Sequence, residues 1–150
     1  MPDLDGRTAV VTGSTRGLGE AMVRELFDRG ASVLVTGRNE ERAQEIAAEL
    51  DASGSRALGV RLDVKQRESM RQAIEGAHAK WGRLDILVNN AGVTPVRPFF
   101  ELEDEEWDDV LATNLRSVFI GCQLAGRRPR RSRAGCAGDT RRSRAPDRGG

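Results

Sequence analysis

Apolar and polar positions in residues 1–126 follow two alternating patterns. Short apolar runs rich in β-branched residues, such as RTAVVT at 7–12, are typical of strands that are buried on both faces. Longer segments, such as 66–82, carry apolar side chains three or four positions apart, which predicts amphipathic helices. Asn39 is expected to cap the second helix and Gly54 to end it. The predicted strands are 7–12, 31–36, 55–64 and 83–90, and the predicted helices are 17–30, 39–54, 66–82 and 104–126.

This order of elements, βαβαβαβα, predicts the fold class. Strands joined through helices of about a dozen or more residues form right-handed crossovers, and these build a parallel sheet with helices on both faces. The predicted fold is therefore α/β, a doubly wound parallel sheet that is cut short after its fourth strand–helix unit. The fourth strand would then lie at an open apolar edge, and Val118, Phe119 and Ile120 of the fourth helix are expected to face water.

Charge and composition divide the chain near residue 126. The whole chain has a formal net charge of +1, but residues 1–125 have a net charge of −6 and residues 126–150 one of +7. The segment 127–150, called the Arg-rich tail below, contains nine Arg and no Leu, Ile, Val, Met or aromatic residue. It therefore has too little apolar surface to offset the entropy lost on ordering, and it is predicted to be disordered or frameshifted.

Three explanations of the Arg-rich tail remain open. Residues 1–126 contain 13 Arg but only two Lys, which is typical of a GC-rich gene, and a shifted reading frame of such a gene would encode mainly Arg, Gly, Ala and Pro. We favour this explanation. The tail would otherwise be a basic arm that binds nucleic acid or another polyanion, or the disordered end of a naturally truncated protein. Nucleic acid is not the expected partner, because the tail has no aromatic residues for base stacking.

Composition also argues against several other classes of protein. No apolar run approaches the roughly 20 residues that cross a bilayer, and the short acidic beginning of the chain does not resemble a signal peptide. Two cysteines, Cys122 and Cys136, provide no disulfide framework. We therefore expect a cytoplasmic protein with reduced thiols, without a metal site and without a membrane partner.

The glycines of TGSTRGLG at 12–19 point to a specific chemistry. Gly13 allows a sharp turn after the first strand, Gly17 removes a Cβ that would keep a pyrophosphate away from the backbone, and Gly19 lets the helix lie close to the sheet. Phosphates then meet free backbone N–H groups and the positive end of the helix dipole. The stretch follows a strand and opens a helix, as this mechanism requires. The alternative is a plain strand–turn–helix connection.

The end of the second predicted strand indicates which dinucleotide binds. An acidic side chain there would accept hydrogen bonds from the ribose 2′-hydroxyl of NAD, but VTGRN at 35–39 contains no acid. Arg38 can instead face a 2′-phosphate, and Arg16 adds a second positive charge. The sequence thus predicts NADP(H) rather than NAD(H), and replacing Gly37 by Asp together with Arg38 by Leu is expected to reverse this preference. The alternative is two solvent-exposed arginines without a ligand.

Four features together resemble the short-chain dehydrogenase/reductases, and more loosely their ketone and 3-oxoacyl-thioester reductases. They are TGSTRGLG at 12–19, Asp63-Val64, NNAG at 89–92 and Asn114. The resemblance implies a Rossmann-type sheet with a nicotinamide cofactor across the carboxyl ends of its strands. It implies that Asn114 is catalytic, holding a water molecule in a proton relay. It also assigns the cofactor contacts: Gly13, Ser14, Arg16, Leu18 and Gly19 to the phosphates and ribose, Asp63 and Val64 to the adenine, and Asn90, Ala91 and Gly92 to the adenosine ribose, with Thr12 tying the first strand to that turn.

The remaining catalytic residues of that family are missing. Members use a Tyr as proton donor, a Lys four residues later and a Ser, but this sequence contains no Tyr, and Lys65 and Lys80 lie outside any such motif. Residues 1–126 are thus interpreted as an NADP-binding Rossmann half-domain that is inactive alone. The complete protein is expected to transfer hydride between NADPH and a carbonyl or alcohol substrate, and its relatives to be homo-oligomers. The alternatives are a non-catalytic dinucleotide-binding fragment and a polyanion binder.

Overall fold

A computed structural model of the chain describes residues 3–127, and within them strands and helices alternate. A 3₁₀ turn at Phe99–Glu101 precedes the fourth helix, and a π-helical turn at Ala112–Arg116 joins it to the fifth. The strands are β1 (Thr8–Val11), β2 (Ser32–Gly37), β3 (Ala57–Arg61) and β4 (Ile86–Val88). The helices are α1 (Gly17–Asp28), α2 (Glu40–Leu50), α3 (Arg67–Trp81), α4 (Asp104–Leu111) and α5 (Ser117–Gly126).

The four strands form one parallel sheet in the order β3-β2-β1-β4. Val10 in the central strand β1 is opposite Leu34 of β2 on one side and Leu87 of β4 on the other. The chain therefore runs outward from β1 to β3 and then returns to the opposite side of β1. This confirms the predicted doubly wound α/β fold, and it places the switch of direction, where such sheets bind ligands, between β1 and β4.

Both faces of the sheet are covered, which explains why its strands are apolar without alternation. Val11 and Val33 pack with Ile46 beneath α1 and α2, whereas Val10 and Leu34 pack on the face covered by α3 and α5. Successive strand residues point to opposite faces, so neighbouring valines contribute to different cores. The carboxyl ends of the strands are thereby held in fixed positions.

Helix α2 shows why the predicted elements are longer than the observed ones. Asn39 caps it as expected, since its Oδ1 accepts a hydrogen bond of 3.1 Å from the Arg42 amide. The helix ends at Leu50 rather than at Gly54, because the Asp51 carboxylate accepts hydrogen bonds from the hydroxyl and amide of Ser53 and from the Arg56 amide. These bonds form a turn in place of another helical turn, and they hold the pKa of Asp51 well below its usual range.

The predicted helix 104–126 is divided by the π turn, and one expectation for it is wrong. Ile120 does not face water: it is only 2% exposed and packs in the same core as Met70 and Ile74, because α5 lies against α3. Phe119 is 61% exposed, as expected, and Val118 is half-buried. Of these three residues, only Phe119 therefore leaves most of its apolar surface open.

Among residues 3–127, no helix is both long and apolar enough to cross a membrane. In the same part of the chain, no group of three or more His, Cys, Asp and Glu side chains is placed to hold a metal ion. The Arg-rich tail, apart from Arg127, lies outside the described residues, so its predicted disorder or frameshifted origin stays a prediction.

Candidate functional site

An open cleft of about 630 Å³ lies at the carboxyl ends of the strands. It is lined by the turn between β1 and α1, the segments that follow β2, β3 and β4, Asp109 of α4 and Thr113 of the π turn. The predicted cofactor residues found in its lining are Gly13, Arg16, Gly17, Leu18, Gly19, Arg38, Asp63, Val64, Asn90, Ala91 and Gly92. Segments far apart in sequence are therefore brought to one site.

The turn between β1 and α1 presents bare backbone to the cleft. Gly13 and Gly17 have φ values of +65° and +56°, a region that side chains other than glycine rarely adopt. A Cβ on Gly17 would point into open space, so its absence leaves the backbone accessible. The first N–H groups of α1 have no partner within the helix, and Arg16 at its N-cap makes no side-chain capping bond. These groups can bind a diphosphate.

Gly19 is required by a close contact that differs from the predicted one. A Cβ at this position would overlap the carbonyl oxygen of Gly13 and the side-chain nitrogen of Asn90, rather than the sheet itself. That nitrogen donates hydrogen bonds of 3.0 and 3.1 Å to the carbonyl oxygens of Thr12 and Gly13. Asn90 therefore fixes the glycine turn from the neighbouring strand end.

Thr12 joins the same two strand ends from the other direction. Its Oγ1 accepts hydrogen bonds of 3.0 Å each from the amides of Asn90 and Ala91, and donates one of 3.3 Å to the Val88 carbonyl. The side chain is buried, so these bonds are shielded from water. The glycine turn and the segment after β4 are therefore directly linked, which agrees with the expected tie through Thr12.

Ser14 lies beneath the cleft rather than in its lining. Its Oγ donates a hydrogen bond of 2.9 Å to the Val11 carbonyl and accepts one of 2.8 Å from the Thr36 amide, while its own amide donates to the Thr36 carbonyl. Both polar groups of Ser14 thus hold β1 to β2. Thr15, which the sequence did not single out, lines the cleft instead; its hydroxyl in the glycine turn was the available signal.

Gly37 affects the test of coenzyme preference that the sequence suggested. A Cβ at Gly37 would lie 2.5 Å from Cγ2 and 2.7 Å from Oγ1 of Thr15. Replacing Gly37 by Asp would therefore displace a side chain of the glycine turn as well as add a negative charge. Arg38, which lines the cleft without this complication, is the better position to change.

Four basic side chains line the cleft, and they differ in how far they are neutralised. Within residues 3–127, neither Arg16 nor Arg38 forms an ion pair, so both can meet an anionic ligand. Arg42 and Lys65 were not predicted. Arg42 pairs with Glu45 at 3.2 Å, Glu49 at 3.6 Å and Glu20 at 3.7 Å. Lys65 pairs with Asp109 at 2.8 Å, which raises the pKa of the lysine.

Asp63 is held at the adenine end of the predicted site by local bonds. Its amide donates a hydrogen bond of 3.1 Å to the Ser69 hydroxyl, and its Oδ1 accepts one of 3.0 Å from the Lys65 amide. Val64 beside it is buried and belongs to the core under α3. The segment after β3 is thus a defined turn, in which the Asp63 carboxylate has a fixed orientation.

Asn114 lies in the π turn, next to the cleft rather than in its lining. Its Oδ1 accepts a hydrogen bond of 2.8 Å from the Val93 amide, and its Nδ2 donates one of 2.8 Å to the Val93 carbonyl. The side chain therefore anchors the segment that follows Gly92 to the π turn between α4 and α5. Its catalytic role stays a prediction, and Thr113, which was not predicted, lines the cleft beside it.

The family model for short chain dehydrogenases matches residues 7–135, nine residues beyond the predicted boundary at 126. A curated relative, the 3-oxoacyl-(acyl-carrier-protein) reductase FabG of Escherichia coli K12, is 42% identical over 117 residues, which are 78% of this chain and 47% of the relative. The D-threitol dehydrogenase of Mycolicibacterium smegmatis is 38% identical over 125 residues, 83% of this chain and 48% of the relative. The chain thus spans about half the length of both.

Solved structures show the same partial overlap. A dehydrogenase/reductase from Sinorhizobium meliloti 1021 superimposes with a TM-score of 0.78 at 40% sequence identity. The match covers 83% of this chain and 50% of that one. The four-stranded sheet and its helices are therefore similar to one half of a larger structure.

Proposed function

Because the chain belongs to the short-chain dehydrogenase family, we propose that residues 3–127 bind the nicotinamide dinucleotide of an oxidoreductase. The observation that carries this proposal is the glycine turn. Its first-turn amides face an open cleft, and Thr12 and Asn90 join it to the strand end that forms the other side of the crevice. The bare backbone at Gly17 fits a diphosphate, since a Cβ there would occupy the space in front of it.

The cleft favours the phosphorylated form of the coenzyme. Arg38 follows β2, where an NAD-binding site would place an acid, and neither it nor Arg16 is neutralised by a carboxylate within residues 3–127. A guanidinium group can pair with two phosphate oxygens at once, which a ribose hydroxyl cannot replace. We therefore assign NADP(H) as the preferred ligand, with Asp63 and Val64 at its adenine and Asn90, Ala91 and Gly92 at its adenosine ribose.

The reaction proposed for the complete protein is hydride transfer between NADPH and a carbonyl or alcohol compound. The bound coenzyme supplies or accepts the hydride, while the residues described above hold it across the strand ends. Asn114 stands beside the cleft, but the 150 residues contain no Tyr to donate the proton that carbonyl reduction needs. These residues are therefore proposed to bind the nucleotide without turning over substrate by themselves, in a cytoplasmic protein whose other half completes the site.

Titration calorimetry with NADP⁺ and NAD⁺ tests this proposal. Replacing Arg38 by Leu is expected to weaken NADP⁺ binding about tenfold or more and NAD⁺ binding less than about twofold, because a charge-assisted hydrogen bond contributes about 1.5–3 kcal/mol. Arg61→Leu is the matched control, since Arg61 ends the neighbouring strand, is exposed and does not line the cleft.

Two results would contradict the proposal in different ways. If the folded wild-type protein binds neither nucleotide, the dinucleotide site itself is wrong. If it binds both but Arg38→Leu and Arg61→Leu weaken NADP⁺ binding equally, the preference comes from overall charge and not from a phosphate contact at Arg38.

A further inference from the structure

Helix α4 reaches the cleft through one residue, Asp109, and lies at the surface of the molecule. None of its residues is buried, and Trp107 at its centre is 51% exposed. Among the ion pairs that α4 makes within residues 3–127, the one between Arg97 and Glu106 stays within the same part of the chain. The pair between Lys65 and Asp109 instead reaches the segment that follows β3. This pair is therefore the charged link across the cleft.

Lys65 combines two contacts at that point. Its amide donates to Oδ1 of Asp63 at 3.0 Å, and its Nζ donates to Oδ1 of Asp109 at 2.8 Å, across 44 positions of sequence. Both Lys65 and Asp109 line the same cleft as Asp63. The residue that orients the Asp63 carboxylate thus also fixes α4 opposite to it. The hydrogen bond from Asp109 raises the pKa of Lys65 further above its ordinary value.

We propose that Lys65 and Asp109 form a clasp that holds α4 against the adenine end of the cleft and so positions the bound nucleotide. This inference rests on the proposed nucleotide site, in which Asp63 and Val64 face the adenine. Neither residue of the clasp needs to touch the coenzyme, so they are positioning residues. Their effect concerns the adenine, which NADP⁺ and NAD⁺ share, and not the 2′-phosphate.

The clasp can be separated from a simple effect of charge on an anionic ligand. Lys65→Gln removes a positive charge from the cleft, whereas Asp109→Asn removes a negative one, so electrostatics alone would weaken binding in the first variant and strengthen it in the second. A clasp is broken equally by both changes. Both variants are therefore expected to bind NADP⁺ and NAD⁺ about threefold more weakly, with an unchanged ratio between the two nucleotides.

The experiment is titration calorimetry of the full chain with NADP⁺ and NAD⁺, with circular dichroism to verify folding. The double variant is expected to bind no more weakly than either single variant, since the pair can be broken only once. Lys65→Arg, and the exchange of Lys65→Asp with Asp109→Lys, are expected to restore binding. Lys80→Gln and Asp108→Asn are the matched controls, because both residues are exposed and neither lines the cleft.

Failure of the clasp is distinguishable from failure of the proposed function. Opposite shifts in Lys65→Gln and Asp109→Asn, additive losses in the double variant, or no loss in either, would overturn the clasp while the wild-type protein still bound nucleotide. A wild-type protein that binds neither nucleotide would instead overturn the nucleotide site on which the clasp depends.

Discussion

The two sides of the cleft are built in different ways. On the side of β1 and β2, Val10, Val11 and Leu34 are completely buried between two helical layers. On the other side, β4 is only half-buried and α4 buries no residue. The glycine turn therefore stands on a fully buried base, whereas α4, on the opposite side, is joined to the segment after β3 by the ion pair between Lys65 and Asp109.

Strand neighbours explain much of this contrast. Strand β1 pairs with β2 on one edge and β4 on the other, whereas β4 pairs only with β1 among the described residues. The side of the cleft with β4 and α4 is called the outer side below. Its helical segment carries exposed apolar side chains four positions apart, namely Trp107, Leu111, Leu115 and Phe119.

The largest expected effect compares one leucine from each side. Leu34→Ala leaves a cavity in the completely buried centre of the sheet and is expected to lower the free energy of unfolding by about 3 kcal/mol. Leu115 is 65% exposed, so Leu115→Ala is expected to cost less than about 0.5 kcal/mol. Urea unfolding followed by circular dichroism measures both. Equal losses of stability would mean that Leu115 is buried in solution and that the two sides of the cleft do not differ in burial.

A smaller effect is expected at the base of the cleft itself. Gly19→Ala places a Cβ against the Gly13 carbonyl oxygen and the side-chain nitrogen of Asn90, so the turn must shift. We expect the free energy of unfolding to fall by about 2 kcal/mol, and no measurable NADP⁺ binding. Gly76→Ala is the control, because Gly76 lies within α3 and a Cβ there meets nothing within 4 Å. It should stabilise the protein by about 0.5–1 kcal/mol, as alanine does within helices. Similar outcomes for both variants would show that Gly19 is replaceable.

The side of the cleft with β1 and β2 could be predicted from the sequence better than the outer side, for a physical reason. Apolar runs and the glycine spacing are local patterns, so the alternation of strands and helices and the turn from Gly13 to Gly19 could be predicted from them directly. Asn39 was likewise recognisable as a cap. Ser14 could not be separated from Thr15, because which hydroxyl faces the cleft depends on the turn's conformation and on Thr36 of the next strand.

Features of the outer side depend on contacts between distant segments. Lys65 and Asp109 are 44 positions apart, and no periodicity connects them. The π turn likewise follows from no sequence pattern, and it accompanies the bonds of Asn114 to a backbone 21 positions away. Ile120 was wrongly expected to face water, because the packing of α5 on α3 is a tertiary contact that the local sequence does not show. Local sequence patterns therefore predict the glycine turn, whereas the ion pair across the cleft depends on tertiary contacts.

The smallest expected effect tests how the outer side is attached. Asn114→Ala removes both hydrogen bonds to Val93, and since these groups are exposed to water we expect a loss of about 1 kcal/mol in stability. Exchange of the Val93 amide hydrogen, measured by NMR, should become much faster, while the amides of β1 keep their protection. Arg116→Ala is the control, because Arg116 is an exposed residue of the same π turn.

The Asn114 measurement also separates anchoring from catalysis, because neither stability nor amide exchange requires a substrate. If Val93 exchanges as slowly in Asn114→Ala as in the wild type, the loop after β4 is held by Thr12 and Asn90 alone, and the outer side is more rigid than the burial of its residues indicates. If exchange accelerates at Val93 but not at Asn90, the boundary between the two sides of the cleft lies between these residues. The loop beyond that boundary could then move without disturbing the glycine turn.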